Sequence, residues 1–185
     1  MITILSSGRT GSSLVMQTLD LWGYNVLGQR FEHPAHNPQF NRHGYFEVDY
    51  NKLPQVLPCK NYHYNCKKDA IKVGGYGLQW LEQNWGLPRI LIHTTREITI
   101  QAESLYEYAY TSPEELTIGE AAASIEIDEG MFTRFKEKYK EIPVCVLHVG
   151  MLLENPREYF QKLADAVGYK GSLSIALLNK EKGYA

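Results

Sequence analysis

Short apolar runs alternate along the chain with segments whose apolar residues recur at helical spacing. Four of these runs predict buried strands: ITIL at 2–5, AIKV at 70–73, ILIHTT at 90–95 and VCVLHV at 144–149. A helical pattern follows each of them. Because strands that alternate with helices are typical of a parallel sheet with crossover helices, the chain predicts a doubly wound α/β fold.

Several helix boundaries can be predicted from capping signals. Asn155-Pro156 and Ser112-Pro113 each place a capping side chain before a first-turn proline, and Thr117 with Glu120 forms a capping-box pattern. Gly23 is predicted to end the first helix. These signals are structural and carry no chemistry.

The composition limits the classes of function. The 185 residues, 44% of them hydrophobic and 22% charged, are enough for one domain spanning 1–185 with a full core. The formal net charge of −2 gives no basic field, so nucleic acid is not an expected partner and any anion needs a local site. No apolar run approaches the roughly eighteen residues of a membrane span. No basic leader precedes the first strand, so we expect a cytoplasmic protein without a membrane partner.

The three cysteines argue against a disulfide framework, because their number is odd. Cys59, His63 and Cys66 lie close together and raise the alternative of a zinc site. A structural zinc ion needs four ligands, and no second ligand pair follows at zinc-like spacing. Free thiols are the preferred interpretation.

Residues 6–13, SSGRTGSS, connect the first predicted strand to the first predicted helix. A glycine-bearing turn at a helix N-terminus presents backbone N–H groups and the positive end of the helix dipole to one point. The loop adds glycines, hydroxyls and one guanidinium, from Gly8, Arg9, Thr10, Gly11, Ser12 and Ser13. A phosphate or sulfate site is the functional interpretation, and a turn in which Ser12 merely caps the helix is the structural alternative.

The order of residues in this loop distinguishes between two known kinds of phosphate-binding loop. A Walker A loop needs a lysine after its last glycine, whereas Ser12 and Ser13 follow Gly11 here. The order Arg9-x-Gly11-Ser12-Ser13 resembles the 5′-phosphosulfate loop of sulfotransferases that use 3′-phosphoadenosine 5′-phosphosulfate (PAPS). The resemblance places Arg9 at the Lys/Arg position of that family.

A second segment is similar to the 3′-phosphate site of the same family. Arg96 ends the third predicted strand, and Ser104 follows eight residues later, about 12 Å along a helix. NRHGYFE at 41–47 and the late strand and helix over 146–168 resemble small bacterial members. The resemblance implies a P-loop NTPase-like sulfotransferase fold with flanking helices.

The resemblance also implies a general base that deprotonates the acceptor. Glu32 matches the placement of the family's carboxylate, and His33, His36 and Glu47 are alternatives. The aromatic residues nearby suit a sugar or a phenol, or else pack in the core: Tyr45, Phe46, Tyr50, Tyr62 and Tyr64.

The expected function is therefore transfer of a sulfuryl group from PAPS to a hydroxyl or amine, without metal and with PAP as product. Arg9 and Glu32 would be catalytic, and the acceptor would be a small molecule or a carbohydrate. Two alternatives stay open: a nucleotide-binding module without turnover, and a small-molecule P-loop kinase. At the C-terminal end only Lys180, Lys182 and Gly183 stand where larger members close over the 3′-phosphate.

Overall fold

The computed structural model describes residues 1–28, 46, 48, 69–110 and 117–173. Five strands are described, β1 Ile2–Leu5, β2 Asn25–Leu27, β3 Asp69–Val73, β4 Ile90–Thr95 and β5 Val144–His148. The described helices are α1 Ser12–Leu21, α2 Gly75–Asn84, α3 Ile98–Tyr110, α4 Ile118–Lys138, α5 Val149–Glu154 and α6 Pro156–Val167. The four predicted strands are confirmed.

The five strands form one parallel sheet in the order β2-β3-β1-β4-β5. β1 lies at the centre, where Leu5 pairs with Val73 on one side and His93 on the other. The predicted α/β class with a parallel sheet and flanking helices is therefore correct. This order differs from both the 3-2-1-4-5-6 order of dinucleotide-binding folds and the flavodoxin-like 2-1-3-4-5 order.

Helices cover both faces of the sheet, because the buried strands are apolar on both sides. Ile2 and Ile4 pack in one core cluster with α1, α5 and α6, whose largest buried side chains are Tyr159 and Phe160. Leu5 packs in the other cluster with α2 and α4. A third, smaller cluster holds α3 against α4 through Ala102, Ala121 and Ile125.

The predicted helix boundaries agree with the structure where they can be compared. Thr117 and Glu120 form the capping box of α4, and Asn155 caps α6 before Pro156. Gly23 lies just beyond α1 with a φ of 78°. The predicted start at Ser112 lies outside the described residues. Among the helices that are described, none is both long and apolar enough to cross a bilayer.

Candidate functional site

The loop of residues 6–11 joins the carboxyl end of the central strand β1 to α1. Its backbone has positive φ angles at Gly8 (83°), Arg9 (53°) and Gly11 (74°). Such angles are strained for a residue with a side chain, so Arg9 holds its conformation at a cost of about 1–3 kcal/mol. A left-handed turn before a helix gathers backbone N–H groups into a concave surface that suits an anion.

A chain of hydroxyl groups holds the loop to the sheet. Ser6 Oγ accepts from Gly8 N (3.2 Å), donates to Ser12 Oγ (2.9 Å) and lies 3.2 Å from Thr10 Oγ1. Thr10 Oγ1 lies 2.7 Å from the hydroxyl of Thr94, which donates to the carbonyl of Leu5 (3.1 Å). Since the single proton of Thr94 goes to Leu5, Thr10 must donate to Thr94. The loop serines and threonine are thus buried anchors as well as potential donors.

The N-cap residue of α1 gives no side-chain capping hydrogen bond, a feature that α1 shares with α2 among the described helices. In α1 this residue is Gly11, which has no side chain to accept from the first N–H groups. The other described helices are capped by Asp128 (α2), Glu97 (α3), Thr117 (α4), His148 (α5) and Asn155 (α6). An external anion can take the place that these side chains occupy elsewhere.

Two arginines, Arg9 in the loop and Arg96 after β4, lie near each other. Arg9 Nε donates to Ser104 Oγ on α3 over 3.1 Å. Burial lowers the pKa of Arg96, which follows β4, and the nearby charge of Arg9 lowers it further. The residues predicted for the two phosphate groups therefore converge, with Ser104 bonded to Arg9 and the two guanidinium groups close enough to repel each other. An anion between them would relieve that repulsion.

Lys72 adds a third cation that the sequence analysis missed. It lies on β3, is only 5% exposed, and directs its ammonium towards Ser13 Oγ at the start of α1, 3.4 Å away. Burying a lysine costs free energy unless other groups or a ligand compensate its charge. The signal was visible in the sequence, because AIKV places one charged residue inside an otherwise apolar strand.

Gln101 on α3 fixes the opposite side of the loop. Its Nε2 contacts the Ser7 carbonyl (3.2 Å), the Ser7 hydroxyl (2.9 Å) and the Gly8 carbonyl (2.7 Å). The side chain is 2% exposed. With these bonds, α3 holds the loop conformation from one side while the hydroxyl chain holds it from the other.

A buried polar cluster connects the loop to α4. Ser7 Oγ donates to Glu129 Oε1 (3.1 Å), and His93 Nε2 lies 3.0 Å from Glu129 Oε2. Lys136 Nζ is 3.2 Å from His93 Nδ1. A protonated Lys136 donating to Nδ1 leaves the proton of a neutral His93 on Nε2, directed at the carboxylate. Burial alone would raise the pKa of Glu129, but the bonds from His93 and Ser7 and the charge of Lys136 outweigh it and lower the pKa.

The predicted base and its alternatives, Glu32, His33, His36 and Glu47, lie outside the described residues. The cysteine and histidine cluster at 59–66 lies outside them as well, and within the described ranges no group of three or more His, Cys, Asp or Glu could bind a metal ion. Phe46 is 4% exposed and packs with the α1 core cluster, so core packing is the correct interpretation for that aromatic residue.

Neither a protein-family model nor a curated protein matches this chain. The resemblance to the sulfotransferases therefore depends on the motifs alone.

Proposed function

We propose that this protein is a PAPS-dependent sulfotransferase with a P-loop-like fold. The observation that supports it most is a group of cations near the loop: Arg9 bonds to Ser104 and lies close enough to Arg96 to repel it, and Lys72 contacts Ser13 at the N-terminus of α1. Three cations and a set of N–H donors suit a ligand with more than one anionic group. PAPS carries a phosphosulfate at one end and a 3′-phosphate at the other.

In this proposal the loop binds the 5′-phosphosulfate. Gly8 gives the loop its left-handed turn, Gly11 and the α1 N-terminus supply backbone N–H groups, and Arg9 supplies charge-assisted donors. These groups stabilise the negative charge that develops on the leaving phosphate as the sulfuryl group departs. Thr10 positions the loop, since its proton goes to Thr94, and Ser12 and Ser13 offer hydroxyls to the bridging oxygens.

Arg96 and Ser104 bind the 3′-phosphate. Both lie on the segment that leaves β4, and Arg9 contacts Ser104 directly. Arg9 therefore links the two ends of the donor nucleotide, so that loss of one phosphate contact weakens the other. We propose that transfer proceeds without metal, since Arg9, Lys72 and Arg96 carry the positive charge that the phosphates require.

The acceptor is a hydroxyl or amine of a small molecule or carbohydrate, and its deprotonation requires a base. Glu32 is the base proposed from the family pattern, with His33, His36 and Glu47 as alternatives.

The test is a transfer assay with PAPS labelled in the sulfuryl group, run without metal against a panel of phenols, sugars and amines. Labelled product together with stoichiometric PAP supports the proposal. Tight PAP binding without turnover of any acceptor would instead indicate a nucleotide-binding module. Mg²⁺-dependent transfer from ATP would indicate a kinase.

A further inference from the structure

Asp128 brings a carboxylate to the carboxyl edge of the sheet, beside the start of the loop. Its Oδ1 accepts from the backbone N–H of Gly75 over 2.8 Å. A Cβ placed on Gly74 would lie 3.4 Å from Asp128 Oδ2 and 3.7 Å from the carbonyl oxygen of Ser6. The Asp128 carboxylate and the carbonyl of Ser6, the first loop residue, therefore both border the space beside Gly74.

The neighbouring residue on α4 anchors this arrangement. Glu129 accepts from Ser7 and faces His93, so both of its carboxylate oxygens are occupied. Asp128 differs, because among the described residues its only hydrogen-bond partner is Gly75, at Oδ1. Oδ2 therefore keeps lone pairs that can accept a proton at the edge of the sheet where the loop begins. It is not one of the fully buried side-chain atoms that lack a hydrogen-bond partner.

We propose that Asp128, in place of Glu32 and its alternatives, is the general base of the transfer reaction, an inference that rests on the proposed sulfotransferase function. Oδ2 takes the proton of the acceptor hydroxyl while the acceptor oxygen forms its bond to sulfur. The bond between sulfur and the bridging phosphate oxygen breaks, and its electron pair stays on the phosphate of PAP. The proton then passes from Asp128 to solvent, which restores the carboxylate.

The electrostatics of Asp128 suit this role. Burial raises the pKa of its carboxyl, and the nearby charge of Glu129 raises it further, against the bond from Gly75 that lowers it. A base is most effective when its pKa lies near the working pH, and the shift from the ordinary carboxyl range is in that direction. The pKa of the adjacent Glu129 shifts in the opposite direction, because His93 and Ser7 hydrogen-bond to its carboxylate.

Capping of α2 is the competing explanation for Asp128, and one isosteric substitution separates the two. Asp128→Asn keeps an oxygen that accepts from Gly75 N but cannot accept a proton from the acceptor. The matched control is Glu126→Gln, the same loss of a carboxylate at an exposed position of α4, which should leave all three quantities at their wild-type values. Unfolding midpoint, Kd for PAP and kcat with the acceptor found in the transfer assay are measured for both variants and the wild type.

The proposal predicts that Asp128→Asn keeps its unfolding midpoint and its Kd for PAP within about twofold, while kcat falls by roughly 10²- to 10⁴-fold. The fall should be much smaller with a phenol that is already ionised at the assay pH, because that acceptor needs no base. A purely structural role would lower both rates equally. Retention of kcat in Asp128→Asn overturns the assignment and leaves the proposed function standing. Absence of turnover in the wild type overturns both.

Discussion

The hydroxyls of Thr10 and Thr94 lie 2.7 Å apart and connect the loop after the central strand to the neighbouring strand β4. Thr94 is fully buried and also donates to the Leu5 carbonyl, so a single side chain joins β1, β4 and the loop. The conformation of the candidate site thus depends on a residue that no bound anion needs to contact.

Replacement of Thr94 by valine should loosen this connection. The change keeps the shape of the side chain but leaves the Thr10 hydroxyl without its acceptor, at an expected cost of about 1–3 kcal/mol in unfolding free energy. Affinity for PAP should fall with it. Thr3→Val is the control, because Thr3 is equally buried but its hydroxyl has no hydrogen-bond partner among the described residues. Denaturant unfolding should show Thr3→Val to be neutral or stabilising, and equal effects of the two changes would exclude a special role for Thr94.

Arg9→Ala should abolish transfer while the protein remains folded. Loss of charge-assisted bonds to two anionic groups should weaken PAP binding by roughly 10- to 100-fold. Arg89→Ala is the matched control at the opposite end of the sheet, where Arg89 is exposed and contacts the Val167 carbonyl at 3.4 Å and the side chain of Tyr24. Its Kd for PAP should equal that of the wild type. Retained turnover in Arg9→Ala would count heavily against the proposed site.

Glu129 should make stability depend on pH in the acidic range. Because its pKa is lowered in the folded state, it contributes stability that is complete above the unfolded-state pKa of about 4.3 and is lost as the pH falls through the folded-state pKa. Glu129→Gln removes this contribution. Unfolding free energies of the two proteins, measured from about pH 7 to pH 3, should therefore converge as the pH falls. A difference that does not change with pH would show that the carboxylate charge contributes nothing.

Gly75→Ala should destabilise the packing of α2 against α4. A Cβ there would lie 2.5 Å from Met131 Sδ and 2.6 Å from Asp128 Oδ1, closer than atoms approach without rearrangement. We expect a loss of about 1–3 kcal/mol. Gly130→Ala provides the contrast within α4, since its Cβ would meet nothing closer than Arg134 Nη1 at 4.0 Å. That change should stabilise the protein by about 0.5–1 kcal/mol. Thermal unfolding of the two variants should therefore show a lower midpoint for Gly75→Ala and a higher one for Gly130→Ala.

The sequence predicted the parallel sheet because four of its strands are apolar runs with clear flanking helices. It missed β2, which has only three residues, lies at the sheet edge and begins with the exposed Asn25. It also missed α5, whose six residues are too few to show helical periodicity. Short elements of this kind form only when neighbouring strands and helices support them.

The same limit explains which site residues were predicted. Residues 8–13 are contiguous, and Arg96 and Ser104 lie on one strand and helix, so local patterns revealed them. Glu129 reaches the loop from α4, more than 100 positions along the chain, and Asp128 reaches Gly75 after β3, through contacts that only the folded sheet creates. Gln101 is similar, because nothing in its local sequence indicates that it bonds to the loop.

The most direct test of the central claim is calorimetric titration with PAP in the absence of metal, compared with ATP and Mg²⁺. We predict tight binding of PAP, weaker binding of Mg-ATP, and loss of PAP binding in Arg96→Ala. No binding of PAP by the wild type, or a preference for Mg-ATP, would contradict the account and assign the loop to another phosphate chemistry.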